Sequence, residues 1–310
     1  MERVRLGRSG LEVSPVCYGS WQLSPRFWGE QRRDVMIAAM RKAFEVGVNF
    51  YDTADAYGDG LAEEVMGEAL QDLPRDQIVV ATKVYHHFHP DGHRHPDLSG
   101  AYVERECAAS LKRLQMDYID LYQCHAFDPL TDLAETTEAL ERLKQAGKIR
   151  AYGASNFTVE QLRAACRLGD YATLQPRYNL LQSQAEADLL PYCRAEDIGV
   201  LVYSPLYHGL LSGKYVGGET FADLRGSNPD FQGERFKDLA GRVRALAPIA
   251  ERYSLGIVQL VLVVTLMNPM IRCAIVGIKR PEQIVDAAGA MGKRISREDY
   301  FAVRTTLGSA

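Results

Sequence analysis

The strongest constraint in this sequence is a regular alternation between short apolar runs and longer segments of helical period. Such alternation is typical of repeated βα units built around a parallel sheet. Eight runs rich in Val, Ile, Tyr and Ala occur, and we predict a strand in each of them: 13–20, 49–54, 78–84, 119–125, 149–155, 173–179, 199–205 and 273–279.

The segments between these runs carry the spacing of amphipathic helices. Apolar residues recur at i, i+4, i+7 and i+8 from Met36 to Phe44, and Gly47 ends the pattern. Eight strands and eight helices favour an α/β fold of the (β/α)8 TIM-barrel type. Periodicity alone leaves an open doubly wound sheet possible, but no G-x-G-x-x-G follows the first run. The further helices are predicted at 61–71, 100–115, 131–147, 158–169, 186–196, 256–267 and 281–290.

Three segments lie outside this repeat. The leading RVRLGRSGLEVS, with Gly7 and Gly10 at its turn, predicts an N-terminal β-hairpin that covers the bottom of the barrel. The glycine-rich stretch 215–238 predicts a long loop before an extra helix, and a loop of this length is usually a lid or a binding element. Extra C-terminal helices complete the prediction. No linker divides the chain, so we predict one domain over 1–310.

Composition excludes several classes of protein. At 46% hydrophobic and 25% charged residues, the chain can bury a large core. A net charge of −4, with no basic run among aromatic residues, argues against a nucleic-acid partner. The N-terminus has no apolar signal segment, and the run 257–267 is too short to cross a bilayer. The six scattered cysteines predict reduced, mostly buried thiols. We therefore expect a cytoplasmic protein without membrane contact.

Four polar residues lie at the carboxyl ends of consecutive predicted strands, which is where (β/α)8 barrels have their active sites. Asp52 and Tyr57 follow the second strand, Lys83 ends the third, and His125 ends the fourth. Each alone has an ordinary explanation, since an Asp after a strand often caps a helix and a Tyr often packs. Four chemically compatible groups on three neighbouring strand ends favour a catalytic site.

Carbonyl reduction by hydride needs an acid that protonates the developing alkoxide, and a free tyrosine is a poor acid near neutrality. We predict that Lys83 lowers the pKa of Tyr57 and that Asp52 keeps the lysine charged and in place. His125 would then orient the carbonyl or complete a proton relay.

The same residues belong to a longer set of motifs in a fixed order, and the chain resembles the aldo-keto reductase family, in its bacterial-type, potassium-channel β-subunit-like branch. The resemblance runs from VRLGRSGLEVS to GIKRPEQI and implies a catalytic tetrad of Asp52, Tyr57, Lys83 and His125. Tyr57 would be the general acid in reduction and the general base in oxidation. The motifs are DTADAYGDG (52–60), ATKV (81–84), DLYQCHAFD (120–128), YGASNF (152–157), LQPRYNLL (174–181) and VYSPLYHGLLSGKY (202–215).

The resemblance also implies a nicotinamide cofactor site. Its carboxamide would be held by Ser155, Asn156 and Gln175, and its ring would stack on Tyr203. The pyrophosphate would lie against the loop after the seventh strand, where glycine permits a close backbone approach. The residues implied there are Ser204, Leu206, Gly209 and Lys214.

GIKRPEQI, after the last strand, matches the family's adenosine site and implies contacts from Gly277, Lys279, Arg280 and Gln283. Two positive charges near the ribose, and no Asp or Glu positioned there to accept both hydroxyls, favour NADP(H) over NAD(H). The family motif commonly continues as E-Q-x-x-x-N, whereas this chain has Ala287 in place of the asparagine. The corresponding adenine contact is therefore not expected.

Five of the seven histidines follow Lys83 in HHFHPDGHRHP: His86, His87, His89, His93 and His95. Imidazoles at i and i+2 can converge on zinc or nickel in an extended loop. Pro90, Gly92 and Pro96 instead favour an irregular, flexible loop that faces the substrate, and we expect no metal. His86 or His87 is predicted to form a pocket wall. The apolar walls are predicted to come from Trp21, Phe27 and Trp28.

These observations lead to one principal hypothesis and two alternatives. The principal one is an NADP(H)-dependent oxidoreductase that interconverts a small-molecule aldehyde or ketone and its alcohol, with Tyr57 handling the proton. The alternatives are a cofactor-binding regulatory or sensor protein, and an epimerase or eliminase that returns its cofactor unchanged. The substrate, the physiological direction and the oligomeric state depend on features that one sequence does not determine.

Overall fold

The computed structural model describes residues 3–89 and 91–308. Both ends of the predicted domain, at 1 and 310, lie outside the described residues, so that boundary stays a prediction.

Eight parallel strands close into a barrel in which each strand pairs with its neighbours in chain order, and the last pairs with the first. The (β/α)8 TIM-barrel prediction is confirmed. The strands are Val16–Gly19, Phe50–Asp52, Val79–Val84, Ile119–Cys124, Ile149–Ser155, Tyr171–Gln175, Gly199–Tyr203 and Cys273–Gly277.

A helix follows every barrel strand and packs on the outside. In chain order these helices are Arg33–Glu45, Leu61–Leu70, Gly100–Leu114, Leu133–Gln145, Val159–Leu168, Leu189–Ala195, Ile257–Met267 and Pro281–Ala288. Their ends carry local signals: the Ser99 side chain caps the third helix, and Thr158 with Gln161 forms a capping box on the fifth. The extra helices are Pro25–Trp28, Gly233–Arg244, Ala247–Arg252 and Arg297–Leu307.

Side chains alternate between the inside and the outside of the barrel wall. In the third strand Val79, Ala81 and Lys83 point inward, whereas Val80 and Val84 join the outer core beneath the helices. The same alternation turns Asp52 inward and Tyr51 outward. The inward positions are apolar near the amino ends of the strands and polar near the carboxyl ends. The polar side chains therefore lie together at one mouth of the barrel.

The N-terminal hairpin closes the opposite mouth, as predicted. Val4–Arg5 pairs antiparallel with Glu12–Val13, and Leu6 and Leu11 are buried against the inward residues of the barrel. Gly7 has φ +53°, and a Cβ there would lie 2.1 Å from the backbone nitrogen of Gly199. Only glycine allows the turn to lie this close to the seventh strand.

Two segments are more regular than the sequence analysis predicted. The 215–238 loop ends at Gly233, where a helix begins because Phe236, Leu239, Ala240 and Val243 form a buried apolar face. The histidine-rich segment after Lys83, predicted to be irregular, forms an antiparallel hairpin of His86–Phe88 with Arg94–Pro96. Pro96 sits at a strand end, where its missing N–H costs little.

Among the described residues, no single helix is long and apolar enough to cross a membrane. The segments Gly233–Arg252 and Ile257–Met267 reach that length and composition only together, and the chain bends by 84° between them. The six cysteines are free, and five of them are buried.

Candidate active site

The polar mouth of the barrel is organised around Lys83, whose side chain is fully buried. Its Nζ donates to Asp52 Oδ1 at 2.7 Å and to the Thr53 carbonyl oxygen at 2.7 Å. Burial would lower the pKa of Lys83, but the charges of Asp52 and Tyr57 and their hydrogen bonds raise it above its ordinary value. Lys83 is therefore held as a fixed ammonium group.

Tyr57 lies on the turn that follows the second strand, with Gly58 and Gly60 in left-handed backbone conformations beside it. This turn brings the phenol oxygen to 3.4 Å from Lys83 Nζ. Burial raises the pKa of Tyr57 to about 12, because loss of hydration disfavours the phenolate more than Lys83 stabilises it, and Asp52 adds to the increase. The prediction that Lys83 brings this pKa below its ordinary value is wrong, although the lysine charge acts in the predicted direction.

His125 is a neutral neighbour of Tyr57. The two rings are edge to face with centroids 5.9 Å apart. Burial lowers the pKa of His125 well below its ordinary value, and the charges of Lys83 and His86 lower it further. Its buried Nδ1 has no hydrogen-bond partner among the described residues. The structure thus brings together the four residues that the sequence analysis selected.

A cavity of about 920 Å³ opens beside this cluster. Asp52 and Tyr57 line one part of it, and Lys279 and Arg280 line another. Its volume lies within the range of about 300–1,000 Å³ that is usual for sites of small ligands and cofactors.

Comparison with protein-family models matches residues 15–306 to the aldo/keto reductase family. The chain belongs to this family. Its members are oxidoreductases that use a nicotinamide cofactor, so the family resemblance found in the sequence is confirmed.

Curated relatives and solved structures of aldo-keto reductases agree over the full barrel. The chain is 36% identical to an aldo-keto reductase of Bacillus subtilis (99% of this chain, 94% of the relative) and 33% identical to the NADH-specific methylglyoxal reductase of Escherichia coli (98% of each). It is 33% identical to a probable voltage-gated potassium channel subunit beta of Oryza sativa (94% and 91%).

Among solved structures, glycerol dehydrogenase from Gluconobacter oxydans superposes with a TM-score of 0.91 at 31% identity (99% of this chain, 95% of that chain). An aldo/keto reductase from Klebsiella pneumoniae in complex with NADP and acetate superposes with a TM-score of 0.79 at 30% identity (99% and 96%).

In this aldo-keto reductase the residues expected at a nicotinamide form one hydrogen-bonded chain. Tyr203 Oη donates to Asn156 Oδ1 at 2.9 Å, and Asn156 Nδ2 donates to Ser155 Oγ at 3.0 Å. Ser155 Oγ donates to the Gln175 carbonyl oxygen at 2.9 Å, and Gln175 Nε2 donates to Asp52 Oδ2 at 2.8 Å. Gln175 and Tyr203 line the cavity, whereas Ser155, which is buried, and Asn156, which is exposed, are not among its lining residues.

The loop after the seventh strand has an unusual backbone. Ser204, Tyr207 and His208 are non-glycine residues with φ of 58°, 44° and 53°, and Gly209 follows at 89°. Left-handed non-glycine residues cost about 1–3 kcal/mol each and cluster at ligand-binding loops. All four residues predicted for the pyrophosphate line the cavity: Ser204, Leu206, Gly209 and Lys214.

The far end of the cavity is rich in cations. Gly277, Lys279, Arg280 and Gln283, the residues predicted to contact the adenosine, line this end, and Gln283 Oε1 accepts from the Lys279 backbone N–H at 2.7 Å. Two further cations, Arg32 and Arg225, line the same cavity and were missed. Arg225 comes from the loop predicted to be a lid, but no pattern in a single sequence singles it out.

Besides Asp52, two acidic side chains, Glu30 and Asp286, line this cavity, contrary to the expectation that none is positioned there. Asp286 is one turn after Gln283 on the helix Pro281–Ala288 and lines the cavity with it. Burial raises the pKa of Asp286, and its hydrogen bond with Gln259 opposes the increase. Ala287 is fully buried in the core and points away from the cavity wall.

The predicted substrate-pocket residues divide into two groups. Trp21 and Trp28 line the cavity, and their rings meet edge to face at 5.4 Å. Phe27 packs on Trp21 at 5.6 Å but is 38% exposed and is not part of the cavity lining. Neither His86 nor His87 is among the lining residues of the cavity, and the ring centroid of His86 lies 6.2 Å from that of His125. His87 lies on the other face of its hairpin, because neighbouring residues of a strand point in opposite directions.

Proposed function

We propose that this protein is an NADP(H)-dependent oxidoreductase that reduces an aldehyde or ketone to an alcohol, or catalyses the reverse reaction, by direct hydride transfer. The observation that carries the proposal is the contact between Tyr57 and Lys83. A phenol at the edge of a large cavity lies 3.4 Å from a buried ammonium group, which Asp52 holds in place. Such a pair supplies a proton where a carbonyl oxygen gains charge and then stabilises the phenolate that remains.

The cavity fits a nicotinamide dinucleotide. Polar groups and the Tyr203 ring lie at the end next to Tyr57, and cations lie at the end next to Lys279. A Cβ at Gly277 would lie 2.0 Å from Gln22 Nε2, so glycine lets the Gln22 side chain pack against the backbone of the cavity wall. We infer that Gln175 and Tyr203 would hold the nicotinamide and that the 204–214 loop would hold the pyrophosphate.

The residues of this chain supply the proton chemistry. A bound nicotinamide supplies or accepts the hydride. Tyr57 is protonated near neutral pH, since its pKa of about 12 lies above the ordinary tyrosine value. The charge of Lys83 offsets part of the cost of releasing that proton in the direction of reduction. In oxidation the same oxygen accepts the proton, with Lys83 stabilising the phenolate. Neutral His125 would donate a hydrogen bond to the carbonyl oxygen and orient it.

The cations at the far end support NADP(H) rather than NAD(H). Lys214, Lys279 and Arg280 outnumber the carboxylates of Glu30 and Asp286 in the cavity lining, and Arg225 is already paired with Asp223. Guanidinium and ammonium groups form strong hydrogen bonds to phosphate. The Klebsiella pneumoniae relative binds NADP, whereas the Escherichia coli relative is named as NADH-specific. The balance of charge in this cavity favours the 2′-phosphate.

The proposal is tested with a panel of carbonyl compounds assayed for NADPH consumption. Methylglyoxal, glyceraldehyde and dihydroxyacetone belong in the panel because relatives are named for methylglyoxal and glycerol. We expect stoichiometric oxidation of NADPH with at least one class of carbonyl. Product formation without net consumption of NADPH would favour an epimerase or eliminase that recycles its cofactor.

A second candidate is a cofactor-binding regulatory protein. It is favoured by the 33% identity to the potassium channel subunit beta relative, which covers most of both chains. Tight binding of NADPH together with no turnover of any carbonyl in the panel would support this candidate over the enzyme.

A further inference from the structure

The hairpin after the third barrel strand concentrates histidines on one side. His87 pairs directly with His95 across its two strands, and the backbone N–H of His89 donates to the His93 carbonyl oxygen at 2.9 Å. Because side chains alternate along a strand, His87, His89, His93 and His95 share one face, which we call the histidine face. His86 and Arg94 share the opposite face.

The rings on the histidine face are in direct contact. His89 Nε2 lies 2.8 Å from His95 Nδ1, and the ring of His87 stacks on those of His89 and His95 with centroids 4.9 and 4.8 Å away. Asp97 adds a carboxylate at the edge of the face, where its Oδ2 lies 2.9 Å from His87 Nδ1. One ligand atom from each of His87, His95 and Asp97 lies within 4.8 Å of the others.

From this geometry we infer that the hairpin binds one divalent transition-metal ion of the zinc class through His87, His95 and Asp97, with His89 as the fourth ligand. Two ligands of a tetrahedral zinc are separated by about 3.3 Å when each lies about 2.0–2.1 Å from the metal. The His87–Asp97 and His89–His95 pairs are already 2.9 and 2.8 Å apart. The rings are stacked face to face, and a metal lies in the plane of each imidazole that it binds, so binding requires the rings to turn out of their stacks. Each neutral histidine then binds through one nitrogen while its ring hydrogen lies on the other.

Neighbouring groups hold one of these ligands, Asp97, in position. The Ser99 backbone N–H donates to Asp97 Oδ1 at 2.9 Å, and the Asp97 backbone N–H donates to the Tyr85 carbonyl oxygen at 2.8 Å. These contacts leave Asp97 Oδ2 directed at His87 Nδ1, 2.9 Å away. Supporting contacts of this kind orient ligands at known metal sites.

One positive charge faces the site. Arg105 Nη2 lies 3.2 Å from His87 Nε2, and its guanidinium stacks on the ring of Tyr102. Because a guanidinium only donates, His87 Nε2 is the acceptor and Nδ1 carries the hydrogen shared with Asp97. For Nδ1 to become the metal ligand, the ring hydrogen moves to Nε2, so the contact with Arg105 is given up when the metal binds. Arg94 lies on the opposite face, where it pairs with Asp59.

The experiment is a titration of the full chain, prepared without an affinity tag, with ZnCl₂ against a competing chromogenic chelator. We expect one equivalent to bind, and the His87→Ala/His95→Ala variant to bind at least about 100-fold more weakly. The matched control is His86→Ala, which removes a histidine from the same hairpin but from its opposite face. Its zinc affinity should match that of the unmodified protein within about twofold. The proposal is overturned if zinc binds without a defined stoichiometry, or if the double variant binds as tightly as the control.

A second measurement needs no variant. Addition of CoCl₂ should produce the intense visible absorption of tetrahedral cobalt, and one equivalent of zinc should abolish it. A weak octahedral cobalt spectrum would contradict the four-ligand assignment. Neither measurement uses turnover, so both are independent of the proposed oxidoreductase activity.

Discussion

Replacing Tyr57 with phenylalanine removes one oxygen atom from the active site and keeps the ring that packs against His125. Lys83 loses its 3.4 Å contact but keeps the 2.7 Å hydrogen bonds to Asp52 and to the Thr53 carbonyl oxygen. The ammonium group therefore stays in place. The lost contact is long, so we expect the free energy of unfolding to fall by less than about 1 kcal/mol.

The effect on turnover should be far larger than the effect on stability. A positioned general acid contributes about 10²- to 10⁴-fold to a rate, which corresponds to about 2.7–5.5 kcal/mol of activation free energy. We expect kcat for carbonyl reduction to fall by that factor, while the Kd for NADPH changes less than about threefold. The assays are NADPH absorbance for turnover and quenching of protein fluorescence for binding.

Tyr51→Phe is the matched control. Tyr51 lies on the second strand, but its hydroxyl points outward and donates to the Met40 carbonyl oxygen at 3.2 Å. Its loss should cost about 1 kcal/mol of stability and leave kcat unchanged. If Tyr57→Phe kept more than about a tenth of kcat, the phenol would not be the proton donor, and the reasoning from the Lys83 contact would fail.

Three further predictions follow from the same geometry. Lys279→Ala combined with Arg280→Ala should weaken NADPH binding by about 10- to 100-fold and NADH binding by less than about threefold. Only NADPH loses charge-assisted hydrogen bonds to its 2′-phosphate, and such bonds are worth about 1.5–3 kcal/mol. Equal losses in fluorescence titrations of the two cofactors would refute the 2′-phosphate assignment. The kcat/KM for reduction, measured at saturating cofactor, should stay level between about pH 6 and pH 9. Tyr57 loses its proton only as the pH approaches its pKa of about 12, and burial keeps the pKa of His125 well below its ordinary value. A tenfold change in kcat/KM within that interval would contradict these protonation states. Gly153→Ala should lower the free energy of unfolding, measured by denaturant titration, by about 1–3 kcal/mol or more, because the new Cβ would lie 2.0 Å from Thr173 Oγ1 and 2.6 Å from the Thr173 carbonyl oxygen. Gly241→Ala is the control. It lies in a helix with nothing within 4 Å of the new Cβ, so it should be neutral or stabilising in the same titration.

Much of the catalytic centre was predictable because it depends on local pattern. Period-two alternation in a strand determines that Lys83 shares the inward face with Ala81, and a parallel barrel brings all carboxyl strand ends to one mouth. Asp52, Tyr57, Lys83 and His125 could therefore be grouped without coordinates. The cofactor residues rested on family motifs instead, and Arg225 and Asp286 were found only in the structure.

The sequence by itself determined the alternation of eight strands with eight helices and the placing of the polar residues at carboxyl strand ends, because these follow from periodicity among near neighbours in the chain. The tertiary structure decided between an open sheet and the closed barrel. Tertiary structure decided the energetics of the site. The hydrogen bond from Gln175 to Asp52 joins residues 123 positions apart, and the pKa of Tyr57 rises because packing removes water from its oxygen. Tertiary structure also decided that the histidines form a single face, since two strands had to pair before His87 could lie opposite His95. Burial and distance between remote residues are properties of the folded chain, and no local pattern encodes them.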